Sequence, residues 1–94
     1  MISLKDCRKD IDAIDKQIVE LLLKRNQISL TIADVKLATN DYIVYKPDRE
    51  EEILTKLKKY ARAEHEKNMI ENVYKEIMKC SRLTQLQYMV NRLH

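Results

Sequence analysis

The sequence predicts an all-α fold of three helices per chain, one long and two shorter. Three observations carry this. Glycine is absent from the 94 residues and there is a single proline, Pro47, so the positive-φ turns that strand hairpins require have few hosts. Charged residues make up 35% of the chain, and phenylalanine and tryptophan are missing, which suits helices with charged outer faces better than strands. Apolar residues recur at helical spacing along most of the chain.

The first helix is read over residues 4–38. An apolar or seam position falls at 7, 11, 14, 18, 21, 25, 28, 32 and 35, alternating steps of four and three as a heptad seam does. At the helical rise this segment is about 50 Å long, whereas a compact chain of this length has a radius of gyration of about 12 Å. The remaining residues cannot cover both ends of such a rod. A second copy of the chain is the simplest cover, so the expected assembly is an intertwined helical homodimer.

Residues 39–46 break the periodicity and read as a loop, with Asn40 and Asp41 as turn formers. Pro47 suits the first turn of the next helix, and Asp48 with Glu51 has the spacing of a capping box. The stripe Ile53, Leu54, Leu57 and Tyr60 carries this helix over 47–63. A polar connection around 64–68 leads to a third helix over 69–91, whose stripe is Ile70, Val73, Tyr74, Ile77, Ser81, Thr84 or Gln85, and Tyr88. No repeat or low-complexity segment interrupts, and 1–94 reads as one domain.

Composition excludes several function classes. The net charge of +3 comes from mixed acidic and basic residues with no basic block, which argues against nucleic acid as the partner and fits a small anionic ligand or a solvated surface. Cys7 and Cys80 form no CxxC or metal-like cluster, and their apolar surroundings predict small buried thiols. No signal-peptide core and no apolar run near the roughly 20 residues of a membrane span is present. The expectation is no membrane, no cysteine-bound metal and a cytoplasmic location.

Polar residues interrupt the stripes. Arg25 holds a seam position, and an unpaired buried guanidinium costs several kcal/mol, so it needs a partner. Lys36 lies eleven residues on, about 20° around the helix and roughly 16 Å along it. The two cations suit either a dicarboxylate held between them or an interfacial salt bridge that sets register. Arg8 is roughly 40 Å from Lys36 along one straight helix, so it reads either as a surface residue or, in an antiparallel dimer, as one that reaches the far part of the partner's helix. Arg49 and Glu50 open the second helix at the edge of its stripe, where Glu50 also suits the helix dipole. Ser81 and Gln85, at i and i+4 of the third, either bond to one another or face a ligand.

These residues lie in blocks that resemble the AroQ-type, all-helical chorismate mutases. The blocks are Arg8–Asp15 (RKDIDAID), Leu21–Arg25 (LLLKR) with Val35-Lys36, Pro47–Glu50 (PDRE) and Ser81–Gln85 (SRLTQ). They stand in order, at matching distances, over nearly the whole chain. The resemblance implies a cofactor-free Claisen rearrangement of the dianion chorismate to prephenate, within aromatic amino acid biosynthesis, by a homodimer with two equivalent sites. It also implies roles. Arg25 and the partner copy's Arg8 would clamp the two carboxylates, while Lys36 and Gln85 would donate to the ether oxygen, with Lys36 also touching a carboxylate. Glu50 would accept from the ring hydroxyl, Ser81 would bond the ring carboxylate, and Arg49 would hold Glu50 and the pocket wall. Lys36, Gln85 and Glu50 are thereby the catalytic candidates.

Two positions depart from the family's pattern. Lys46 stands where an acidic cap is common, and Arg82 where an apolar pocket residue is common; both add positive charge near the expected site. Two alternatives stay open on sequence: an isochorismate-pyruvate lyase on the same scaffold, and a non-catalytic helical dimerisation module.

Overall fold

A computed structural model describes residues 1–93. Among these, three helices follow one another: α1 (Leu4–Ala38), α2 (Pro47–Lys58) and α3 (Glu64–Leu93), of 35, 12 and 30 residues. The sequence bounds of α1 agree with the structure. Ser3 caps it, its hydroxyl accepting from the Asp6 amide at 3.0 Å, which satisfies one of the free donors at a helix start.

The far end of α1 closes without glycine. Asn40 adopts φ 56°, the left-handed conformation that asparagine tolerates better than most residues. The Asp41 and Asn40 amides then donate to the carbonyls of Lys36 (2.8 Å) and Leu37 (3.3 Å), the paired bonds of a Schellman motif. Asp41 continues the turn by accepting from the Ile43 amide at 3.0 Å. That bond, followed by the one from Lys46 (3.2 Å), holds its carboxyl below the ordinary value. Both turn formers read from sequence occupy the turn.

The second junction differs from expectation. α2 ends at Lys58, not at 63, and α3 begins at Glu64, so the polar stretch 64–68 is helical. The acidic residues Glu64 and Glu66 sit in the first turn of α3, where the helix dipole favours them. The Glu66 carboxylate also accepts from the Arg62 amide at 2.7 Å. Tyr60, expected in the α2 stripe, is therefore in the turn and 80% exposed. The capping box is also absent: the N-cap is Lys46, with no side-chain bond. Pro47 takes the first helical position, which moves Asp48 inside the helix, where it can act only through the dipole. Lys58 and Glu71, 2.8 Å apart, tie α2 to α3 across this turn.

The molecule is a rod of 58 × 26 × 14 Å with a radius of gyration of 16.9 Å. Every residue from Met1 to Lys24 is exposed. The buried apolar residues are Ala33, Leu54, Met78 and Met89, so α1 is covered by α3 only along its last third. There the inward face runs through Arg25, Ser29, Ala33 and Lys36, while the seam residues Ile28 and Val35 stay 61% and 58% exposed. Cys7 and Cys80 are exposed rather than buried, because each lies on a helix face that this chain does not cover. The accessible surface is 7823 Å², against about 5,700 Å² for a compact monomer of this mass.

Candidate active site

The last third of α1, the start of α2 and the middle of α3 enclose a cleft of about 340 Å³. Six of the seven residues named from sequence line it: Arg25, Lys36, Arg49, Glu50, Ser81 and Gln85. Arg8 does not. It is exposed in the second turn of α1, at the other end of the rod.

α1 presents Arg25, Ser29, Ile32 and Lys36 to the cleft, the spacing that keeps side chains on one helical face. Arg25 donates through Nη1 to the Ser81 hydroxyl. Ser81 in turn donates to the Ile77 carbonyl at 3.1 Å. Lys36 Nζ donates to the Ile43 carbonyl at 3.0 Å and to Gln85 Oε1 at 3.2 Å. The turn at Asn40 is what brings the Ile43 carbonyl back over Lys36. Ser81 and Gln85 thus do not bond to one another; each serves as a neutral acceptor for one cation.

This arrangement leaves specific groups free. An ammonium has three donors, and Lys36 spends two of them on protein oxygens. It is a donor only, so it fixes the Gln85 amide with Oε1 toward itself, leaving the Nε2 hydrogens for the cleft. Gln85 is 8% exposed, and among the described residues its amide nitrogen donates to no protein group.

The remaining charges around the cleft are neutralised. Glu50 receives both bonds of Arg82 Nη1, at 2.6 and 2.5 Å. Lys46 pairs with Asp41 at 3.2 Å and Arg49 with Glu52 at 2.9 Å. The expectation that Arg49 holds Glu50 is not met. Adjacent helix residues point in different directions whereas i and i+3 face one another, so Arg49 meets Glu52 and Glu50 is reached from α3. Among the described residues, Arg25 and Lys36 are the cleft cations that lack a carboxylate partner.

Sequence reasoning missed part of the lining. Ser29 is buried at 5% exposure; it follows Arg25 by one helical turn, a spacing that could have flagged it. Arg82 and Lys46, read from sequence as departures that add positive charge near the site, both line the cleft. Beside this site, and sharing Arg25 and Ser81 with it, a more apolar cleft of about 570 Å³ is lined by residues such as Leu22, Leu23, Val73 and Cys80. No group of three or more potential metal ligands occurs among the described residues, and no helix there is long and apolar enough to cross a membrane.

The pattern of the chorismate mutase type II family matches residues 7–86, a span that includes every residue of the cleft. The bifunctional chorismate mutase/prephenate dehydratase of Aquifex aeolicus (strain VF5) is 39% identical over 57 residues, covering 61% of this chain and 16% of that protein. The chain therefore spans only a small part of that relative's length. No solved structure matches it. On the match over residues 7–86, the chain belongs to the chorismate mutase type II family.

Proposed function

We propose that this chain is a cytoplasmic chorismate mutase acting as a homodimer, and that its substrate is chorismate held as a dianion. One observation carries the reading: the cleft contains two cations, Arg25 and Lys36, bonded only to neutral oxygens, while its other charges are internally paired. Two unneutralised positive charges in a partly enclosed pocket match two carboxylates.

The roles follow from the free donors. Arg25 engages one carboxylate, which suits the planar fork of a guanidinium, and Ser81 beside it bonds the ring carboxylate by turning its single hydroxyl donor away from the Ile77 carbonyl. Charge develops on the ether oxygen as its C–O bond breaks ahead of C–C bond formation. The third Lys36 N–H and the Gln85 amide lie side by side to receive it. Donors fixed before the reaction stabilise the transition state without reorganising, and a shaped pocket holds the substrate in the compact conformer it must reach. Glu50 accepts from the ring hydroxyl. No covalent or cofactor step is needed.

The second copy completes the site. The surface beyond that of a compact monomer, about 2,100 Å² per chain, is what an extensive obligate interface buries. The exposed apolar residues Ile11, Ile14, Ile18 and Leu21 of α1 supply the face for it. In an antiparallel arrangement, Arg8 of one copy reaches the carboxylate end of the other's cleft.

The test is incubation of purified protein with chorismate at neutral pH without added metal, followed by ultraviolet absorbance and identification of prephenate. Prephenate formation supports the reading. Conversion of isochorismate to pyruvate and salicylate instead would assign a lyase, and inertness toward both would leave a dimerisation module.

A further inference from the structure

We infer that Arg82 is a positioning residue for Glu50, keeping that carboxylate away from the two cations that grip the substrate. The inference rests on the chorismate mutase reading and adds to it a residue that stands where an apolar side chain is common.

Among the described residues, Glu50 is the sole carboxylate lining the cleft, and Arg25 and Lys36 line the same cleft. A flexible glutamate there would pair with one of them and compete with the dianion for it. Arg82 removes that option. Its Nη1 bridges both Glu50 oxygens, at 2.6 and 2.5 Å, with side-chain exposures of 31% for Arg82 and 21% for Glu50. The guanidinium is itself held, its central carbon 5.1 Å from the centroid of the Tyr45 ring, within the range of a cation–π contact. Arg82 on α3 is thereby joined to the loop through Tyr45 and to α2 through Glu50. A carboxylate has about four acceptor sites, and the bridge uses one on each oxygen. Glu50 keeps the capacity to accept a hydroxyl while its charge stays engaged. Arg49, the sequence neighbour, cannot do this because it is turned toward Glu52.

The test compares wild type, Arg82→Leu, Arg82→Lys, Glu50→Gln and the double variant Glu50→Gln/Arg82→Leu, by kcat and KM on chorismate and by thermal unfolding. Freed Glu50 should raise KM in Arg82→Leu by about tenfold, the scale of a coupling between two groups in contact, with kcat falling less. Arg82→Lys should restore most of the loss. Adding Glu50→Gln should bring KM back down, because a neutral amide does not compete for Arg25 and Lys36. Melting temperatures that fail to add across the four-protein cycle would show the pair in solution, whatever the turnover. If Arg82→Leu does not fold, Arg82→Gln replaces it.

Unchanged KM in Arg82→Leu, or a loss that persists undiminished in the double variant, overturns the positioning role while wild-type turnover still upholds the mutase reading. A wild type inert on chorismate, with the melting temperatures still non-additive, instead brings down the mutase reading, and the role of Arg82 with it.

Discussion

Replacing Ile14 by alanine gives opposite outcomes depending on whether α1 is covered by a second copy. Ile14 sits on the heptad seam, 49% exposed within one chain, in a segment where every residue to Lys24 is exposed. If the chain were a monomer, Ile14→Ala would remove little burial and would gain a few tenths of a kcal/mol in helix propensity. If the seam is an interface, truncation costs about 2 kcal/mol at the low end of core substitutions. A two-fold interface counts it twice, giving about 4 kcal/mol per dimer and roughly a thousandfold weaker dimerisation. Sedimentation equilibrium across a concentration series, with thermal unfolding at matched concentrations, reads both quantities. The expected result is a wild-type dimer and a variant that dissociates at higher concentration and melts earlier. Wild type sedimenting as a monomer throughout, with Ile14→Ala melting at the same or a higher temperature, would refute the interface.

Three further outcomes follow from the contacts in the structure. Lys36→Ala removes the donor beside Gln85 together with one of the two unneutralised charges; kcat/KM on chorismate should fall by about 3–4 kcal/mol, several hundredfold, with helix content unchanged by circular dichroism, and a loss under fivefold would remove Lys36 from the chemistry. The bond from Lys58 holds Glu71 below its ordinary value of 4.5, so that carboxylate contributes stability in full above pH 4.5 and loses it as pH falls through the lowered folded-state value. The melting-temperature gap between wild type and Glu71→Gln should therefore be flat near neutrality and close on acidification below pH 4.5; a gap that widens there would contradict the pairing. The same bond raises Lys58 above 10.5, so its share of the stabilisation should fade above that pH.

What the sequence made legible follows from how local each signal is. The long α1 was legible because its seam repeats without a break, and its end because Asn40 and Asp41 carry turn chemistry in their own side chains. The α2–α3 junction was not, because an apolar stripe marks only helices that are covered: residues 64–68 are helical through acidic residues at a helix start, with little to bury. The cleft residues were legible as polar interruptions of stripes, which placed Arg25, Lys36, Ser81 and Gln85 on inward faces. Pairings between helices were not. Nothing local in Pro47–Glu50 says that Glu50 is met by Arg82, thirty-two positions on, rather than by Arg49. The exposure of Cys7 and Cys80 was misjudged for a related reason, since an apolar surrounding in sequence becomes a buried one only where a partner element arrives.

Mixing Arg8→Ala chains with Arg25→Ala chains reads whether two copies jointly build a pocket for a doubly negative substrate. Each homodimer lacks one clamp at both sites. In a mixed dimer, one site combines an intact Arg25 with an intact Arg8 from the other copy, and the second site has neither. Random exchange makes half the dimers mixed, so activity on chorismate should rise from near zero to about a quarter of the wild-type value. A mixture no more active than its two components would contradict the shared site.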